Sequence, residues 1–239
     1  MSNQQSFIEV QFPVSKISKE AYKERKAGAG QTLTGLGKWW GRKPLILVRS
    51  ALLGLLMPAT DNPEKDREIF EKILTLDTEG VWERKNKAIP VEVLYANSTP
   101  TEKLSYFTSN EIKPSWKPGI TNDQKQEFQK RIFTRLSYDE KLRYCIRPEE
   151  VDQLSKTILQ EINHYLDIQA TSIQEIYQAL GKKRFGEIPW IGDCFCGGGS
   201  IPFESARMGL NSFASDLNPI AMLLTWASLN LFSVSPSEA

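Results

Sequence analysis

The stretch GDCFCGGGSIPFESARMGLNSFASDLNPIA, residues 192–221, combines two apolar runs with a cluster of glycines. The run IPWIG predicts a buried strand that ends at Asp193, and SFAS predicts a second strand that ends at Asp216. The glycines at 197–199 allow a tight turn and the close approach of a ligand to the backbone. A helix is expected over residues 200–208, with Gly209 as its C-cap.

The spacing of the acids and glycines favours a particular ligand. Asp216 lies about 20 residues past the glycines, the distance at which a second-strand carboxylate meets a ribose in doubly wound folds. A dinucleotide requires G-x-G-x-x-G, and its third glycine would fall at Pro202. Asp193 would also repel a pyrophosphate, whereas S-adenosylmethionine has no phosphate and carries a sulfonium and an ammonium. The pattern favours S-adenosylmethionine; another nucleotide, or glycines that only form a turn, are the alternatives.

Two separate motifs resemble one family. D-x-F-x-G-x-G at 193–199, followed by ASDLNPIA, resembles the first cofactor motifs of DNA amino-methyltransferases, which modify adenine N6 or cytosine N4. KWWGRKPL, residues 38–45, followed by an apolar helix, is similar to a family of adenine-specific DNA methylases in bacteria and archaea. The N-terminal domain of that family, of unknown function, carries a Trp-Trp-x-Arg-Arg/Lys-Pro signature. The resemblance covers residues 12–58 and 188–231.

This resemblance implies both a fold and a set of cofactor contacts. The fold would be α/β: the start of a Rossmann-like S-adenosylmethionine-dependent methyltransferase sheet, incomplete in this chain and preceded by a mostly helical N-terminal region. Asp193, Phe195, Gly197 and Gly199 would line the methionine end of the cofactor. Asp216 would accept hydrogen bonds from the ribose hydroxyls.

The catalytic motif of the family is absent from the sequence. Amino-methyltransferases use Asp/Asn-Pro-Pro-Tyr/Phe, whose ring stacks on a flipped base. The chain contains no Pro-Pro pair, and NPIA at 218–221 lacks the second proline and the ring. We therefore expect the N-terminal part of a DNA amino-methyltransferase, inactive alone and without catalytic residues, with adenine N6 as the favoured target. A non-catalytic nucleic-acid-binding module, or a truncated remnant, is the alternative.

Charge is distributed unevenly along the chain. Residues 1–50 carry nine Lys/Arg against three Glu, a net of +6 in a chain whose total is +1. Such an asymmetry favours a polyanionic partner. Lys38, Arg42 and Lys43 are the candidate phosphate contacts, with Trp39 or Trp40 beside a base or the cofactor. Alternatively, the tryptophans anchor the following helix to the core. The expected partners are DNA and either a downstream C-terminal methyltransferase portion or a second copy of the chain.

Composition divides the chain into three segments. Residues 1–60 are basic and hold WWGRKP and an apolar helix that Pro44 begins and Pro58 ends. Residues 61–185 are polar and mostly helical; within them a helix is expected from Pro148, and IPVEVLY at 89–95 predicts a short strand. Residues 186–239 would begin the cofactor-binding domain.

Neither a metal site nor a membrane span is expected. Cys194 and Cys196 are one residue apart, which is not zinc-binding spacing, and the single histidine, His164, lies in a helical pattern. The longest apolar run, residues 45–57, is interrupted by Arg49 and is too short to span a bilayer. No signal peptide opens the sequence, so a cytoplasmic protein is expected.

Overall fold

The computed structural model describes residues 5–26, 43–108 and 113–230. Within these ranges the chain is mostly helical, and two strands, β1 (Trp190–Asp193) and β2 (Asn211–Ala214), form the one sheet. The helices, in chain order, are α1 (Phe7–Val10), α2 (Val14–Lys26), α3 (Leu45–Leu56), α4 (Pro63–Ile73), α5 (Thr78–Glu83), α6 (Val91–Ala96), α7 (Pro100–Tyr106), α8 (Asn122–Arg135), α9 (Tyr138–Lys141), α10 (Lys156–Leu166), α11 (Ile173–Phe185), α12 (Ser200–Arg207) and α13 (Pro219–Asn230).

The expectation of a Rossmann-like methyltransferase sheet is wrong. β1 and β2 pair in parallel, with Trp190 opposite Asn211 and Asp193 opposite Ala214, and no third strand joins them in the described part of the chain. The strands and the helix between them lie where the sequence predicts them, but β1 is not the buried strand that was expected, since Trp190 is 68% exposed and none of its four residues is fully buried. One strand–helix–strand unit does not continue into a wider sheet in the described residues. The other apolar residues that the structure describes lie mainly in helices.

Two compact units divide the chain. One unit contains Met1–Leu74 and Arg147–Ala239, and the other contains Thr75–Ile146. We call them the discontinuous unit and the inserted unit. The three segments drawn from composition stay a prediction.

Helix α3 forms the centre of the discontinuous unit. The expected helix between Pro44 and Pro58 is confirmed, and most of its residues are buried because its side chains are apolar on nearly all sides. It contacts α1, α2, α11 and α12. The Phe7 and Phe70 rings stack nearby, with centroids 4.4 Å apart. The WWGRKP segment is therefore followed directly by α3, a helix at the centre of this unit.

Helix α12 connects the two strands and covers them. It contacts β1, β2, α3 and α13. Gly209 follows its last turn with a φ of +73°, a left-handed conformation that glycine adopts without strain. The sequence prediction of a C-terminal glycine at this helix is confirmed.

Two local expectations are corrected. IPVEVLY forms helix α6, because Pro90 precedes a helical turn in which only Leu94 is fully buried, rather than the alternating residues of a strand. Pro148–Glu150 form a short 3₁₀ turn, and α10 begins later, where the Ser155 hydroxyl accepts a hydrogen bond from the Ile158 backbone N–H. Val151 and Leu154, expected in the Pro148 helix, therefore lie in the irregular segment between the turn and α10.

The inserted unit has an aromatic core of its own. Phe128 lies at its centre, fully buried, and makes edge contacts with Phe107 and Trp116 at centroid distances of 5.6 and 5.7 Å. Thr121 and Ser137 cap α8 and α9 through capping boxes. No described helix in either unit is long and apolar enough to cross a membrane.

Candidate functional site

The residues predicted to hold the cofactor lie where the two strands end. Asp193 is the last residue of β1, and Asp216 follows β2 by two residues. Backbone hydrogen bonds join the loops that follow: Ser215 N–H donates to the Asp193 carbonyl at 2.9 Å, and Cys196 N–H donates to the Ser215 carbonyl at 3.1 Å. The structure therefore brings both acids to one edge of the strand pair.

Two glycines of the 197–199 cluster adopt left-handed backbone conformations. Gly197 and Gly199 have φ angles of +50° and +72°, in the left-handed region that favours glycine. Gly199 is the N-cap of α12. The same glycine also packs against α13, because a Cβ built on it would lie 2.7 Å from Thr225 Oγ1. We call residues 194–199 the glycine loop.

Asp216 is bonded to this loop through its side chain. Its Oδ2 accepts the Gly197 backbone N–H at 2.8 Å, and its Oδ1 accepts the Asn218 backbone N–H at 2.8 Å. The hydrogen bonds from Asn218 and Gly197 hold the pKa of Asp216 below its usual value. Asp216 is therefore an ionised carboxylate at neutral pH, and it ties the end of β2 to the glycine loop.

Asp193 and Phe195 differ in their surroundings. The Asp193 side chain is half-buried, and its Oδ1 accepts the Phe195 backbone N–H at 3.1 Å. The Phe195 residue is 80% exposed. The structure thus groups Asp193, Gly197, Gly199 and Asp216 and leaves the Phe195 ring in solvent.

The two cysteines of the loop differ in exposure. Cys194 is exposed, whereas Cys196 is buried with its Sγ 3.4 Å from Thr225 Oγ1. Burial raises the pKa of the Cys196 thiol, so it stays protonated at neutral pH. No group of three or more His, Cys, Asp or Glu side chains among the described residues could hold a metal ion.

One of the predicted nucleic-acid residues adjoins the glycine loop. Lys38, Trp39, Trp40 and Arg42 lie outside the described residues. Lys43 is exposed, and its backbone N–H donates to Ser200 Oγ at 3.2 Å. Because Ser200 directly follows Gly199, the end of KWWGRKP meets the beginning of α12.

A buried ion pair that the sequence did not predict lies behind this contact. Arg49 Nε donates to Glu204 Oε1 at 2.5 Å, and the two side chains are 3% and 0% exposed. Arg207 Nη1 donates to the other Glu204 oxygen at 3.0 Å. The sequence held one signal: Arg49 interrupts an apolar run, and a buried arginine normally needs an acidic partner.

A second buried acid lies next to this pair. Arg49 Nη2 and Arg207 Nη2 donate to the Glu149 carbonyl at 3.4 and 2.8 Å. Burial, followed by the negative charge of Glu24, raises the pKa of the Glu149 carboxyl to about 7. Arg147 Nε is 3.1 Å from Glu149 Oε1, and neither carboxyl oxygen accepts a hydrogen bond from the described residues.

An apolar hollow in this unit lies apart from the glycine loop. It has a volume of about 590 Å³ and is lined by α1, α3, the end of α11 and the start of β1, with Leu55, Phe185 and Trp190 among its walls. None of the predicted site residues lines it. We therefore assign it no part in the predicted cofactor site.

Comparison with known proteins adds one finding. Residues 11–73 match the family model described as a protein of unknown function, DUF1156. No curated protein and no solved structure matches the chain. The matched range contains α2, α3 and α4, and with them Lys43 and Arg49, but it does not contain the glycine loop.

Proposed function

We propose that this chain is the cofactor-binding, N-terminal part of an S-adenosylmethionine-dependent DNA amino-methyltransferase, with adenine N6 as the favoured target. The resemblance of D-x-F-x-G-x-G to DNA amino-methyltransferases, and of WWGRKP to adenine-specific DNA methylases, supports the proposal. S-adenosylmethionine is the proposed cofactor and DNA the proposed partner. A DNA substrate implies a cytoplasmic location.

The observation that carries the proposal is the pair of carboxylates beside the left-handed glycines. Asp193 and Asp216 end or follow neighbouring parallel strands, and Asp216 accepts the Gly197 N–H. A sulfonium or ammonium near two carboxylates gains electrostatic energy, whereas a pyrophosphate in the same place loses it. This charge arrangement favours S-adenosylmethionine over a dinucleotide.

Asp216 can contribute to binding despite its two backbone hydrogen bonds. Each carboxylate oxygen has two lone pairs, so an oxygen that accepts one N–H can accept a ribose hydroxyl as well. The two backbone N–H groups orient the carboxylate before a ligand arrives, which lowers the entropy that binding has to overcome. We assign Asp216 to the ribose and Asp193 to the cationic methionine end.

Methyl transfer itself is assigned to a part of the enzyme that this sequence does not contain. The chain has no Asp/Asn-Pro-Pro-Tyr/Phe motif to accept the exocyclic N–H bonds and to stack on the flipped base. A C-terminal methyltransferase portion would supply this motif. The chain alone is expected to bind the cofactor and to transfer no methyl group.

Titration calorimetry with S-adenosylmethionine tests the proposal. We expect one site per chain, and we expect Asp193→Asn, which keeps the side-chain shape and removes the charge, to weaken binding roughly tenfold. NAD in place of S-adenosylmethionine is the control ligand and should give no heat of binding. NAD binding equal to that of S-adenosylmethionine would contradict the proposal.

A non-catalytic nucleic-acid-binding module is the second candidate, supported by the net charge of +6 over residues 1–50. Under this reading the chain binds DNA but not S-adenosylmethionine. Replacing Lys38, Arg42 and Lys43 with Ala should then weaken DNA binding and make its salt dependence shallower, by about 0.9 in slope for each phosphate that the variant no longer neutralises. Titrations with both ligands separate the two candidates.

A further inference from the structure

Two contacts join the DUF1156-matched segment directly to the helix that follows the glycine loop. Arg49 on α3 pairs with Glu204 on α12, although the two residues are 155 positions apart in the chain. The Lys43 backbone N–H donates to Ser200 Oγ across 157 positions. Both contacts lie within the discontinuous unit, and both hold α12 near its attachment to the glycine loop.

The Arg49–Glu204 pair has a defined geometry on both sides. Glu204 has one oxygen on Arg49 and the other on Arg207. Arg49 also donates from Nη1 to the Pro148 carbonyl at 3.2 Å. The Tyr177 hydroxyl donates to the Arg49 backbone carbonyl at 3.0 Å, so the backbone of α3 is held at the same residue. Neither partner can shift without breaking several hydrogen bonds.

Such a pair is a costly way to stabilise a core. Removing two charges from water offsets much of their attraction, and well-packed apolar side chains are often as stable. What this pair adds is orientation, because the planar guanidinium of Arg49 donates in fixed directions, from Nε to Glu204 and from Nη1 and Nη2 to the Pro148 and Glu149 carbonyls. The position of α12 relative to α3 is therefore more narrowly defined than apolar packing alone would make it.

The position of α12 in turn defines the glycine loop. Gly199 is the N-cap of α12, and the eight residues of the helix place Glu204 little more than one turn from the loop. From these contacts we propose that Arg49 and Glu204 are positioning residues for the glycine loop. The DUF1156-matched segment then serves to hold the cofactor-binding backbone in place. The identity of the ligand in this inference, S-adenosylmethionine, rests on the proposed function.

Coupling between the segment and the loop has a consequence for binding. If α3 holds the loop in its binding geometry, then S-adenosylmethionine must stabilise the α3–α12 contact by the same factor by which that contact strengthens cofactor binding. Loss of the pair should weaken binding without removing any atom that touches the ligand. The loss of affinity can therefore be measured per folded molecule, apart from any loss of folding stability.

The test compares Arg49→Lys and Glu204→Gln with the wild type. Arg49→Lys keeps the charge but loses the fork, and Glu204→Gln keeps the shape but loses the charge. We expect each to weaken S-adenosylmethionine binding per folded molecule roughly tenfold, as the loss of a supporting shell does at metal sites. We also expect faster hydrogen exchange at the Cys196, Gly197 and Gly199 amides without ligand.

Arg207→Gln is the matched control. Arg207 donates to the same Glu204 and to the same Glu149 carbonyl as Arg49, but it lies on α12 itself, and these hydrogen bonds do not connect it to α3. It should lower the unfolding temperature while leaving the loop amides and the dissociation constant within twofold of the wild type. If Arg49→Lys behaves like this control, the pair is structural only and the inference is overturned.

The outcomes distinguish the inference from the proposed function. If the wild type does not bind S-adenosylmethionine, the proposed function fails, and exchange at the loop amides alone decides whether Arg49 and Glu204 position the loop. If Arg49→Lys does not fold, the isosteric Glu204→Gln gives the answer. Unchanged loop exchange and unchanged affinity in a folded Glu204→Gln protein would overturn the positioning role.

Discussion

Asp216 Oδ2 accepts the Gly197 backbone N–H at 2.8 Å, so the carboxylate expected to bind the ribose is also part of the loop beside it. The two parts of the candidate site are therefore not independent. A substitution at Asp216 changes the loop as well as the ligand contact. Any measurement of its role in binding has to separate the two effects.

Asp216→Asn should loosen the glycine loop even without a ligand. The single amide oxygen of Asn can accept the Gly197 N–H or the Asn218 N–H but not both, so one of these N–H groups loses its partner. We expect faster exchange of the Gly197 or the Asn218 amide and, with S-adenosylmethionine, an affinity roughly 10- to 100-fold lower. Nuclear magnetic resonance of the amides, together with calorimetry, measures both effects. Unchanged exchange in the variant would show that Asp216 does not hold the loop.

Glu149 should make stability fall as the pH rises through the mildly acidic range. Its pKa is raised from 4.5 to about 7, so the folded state keeps the proton that the unfolded state releases first. Stability from this group is complete below pH 4.5 and is lost as the pH approaches 7. Compared with Glu149→Gln, the wild type should lose about 3 kcal/mol of unfolding free energy over this interval.

Denaturant unfolding at several pH values measures this difference. Glu64→Gln is the control, because Glu64 is an exposed carboxyl in the same unit. The control should follow the pH dependence of the wild type. A Glu149→Gln protein that does so too would show that the Glu149 carboxyl is hydrated in solution.

Gly199→Ala should destabilise the discontinuous unit. The residue has a φ of +72°, and an added Cβ would lie 2.7 Å from Thr225 Oγ1. Strain of this kind costs roughly 1–3 kcal/mol. Gly192→Ala is the matched control, because no atom lies within 4 Å of a Cβ placed there. Equal melting temperatures for the two variants would contradict the packing of Gly199 on α13.

The outer face of α13 should promote association. The helix buries small or polar residues, Ala221, Thr225 and Ser228. Its large apolar side chains face solvent, since Leu223 is 63% and Trp226 is 53% exposed. An uncovered apolar face of this kind favours contact with another surface. We expect strong binding of a hydrophobic dye and concentration-dependent self-association.

Leu223→Lys should reduce both dye binding and association. Leu104→Lys is the control, because Leu104 is 73% exposed but lies on α7 in the inserted unit. Sedimentation at several concentrations measures the effect. A monomer at all concentrations that binds no dye would mean that the α13 face is covered within the chain.

Local signals predicted the elements around the site, but not the contacts that organise it. Both strands, α3 and α12 follow from apolar runs bounded by proline or glycine. The wider sheet does not form in the described residues, because a strand–helix–strand pattern specifies two strands and says nothing of a third. The position of Arg49 in an apolar run indicates a buried acidic partner. No local sequence pattern, however, shows which acid of the chain, here Glu204, is that partner. No sequence pattern singles out Thr225. Its importance follows only from its contact with Gly199, which the folded structure creates.

The insertion of residues 75–146 into the discontinuous unit sets the order in which the chain can fold during synthesis. The aromatic core around Phe128 is complete once Ile146 has been made, whereas Arg49 must await a partner 155 residues further on. At about 5–20 residues per second, that wait is roughly 8–30 s. Helix α3, apolar on nearly all sides, then has no α12 to pack against. Until α11 and α12 have been made, α1 and α2 are the contacting helices available to cover α3.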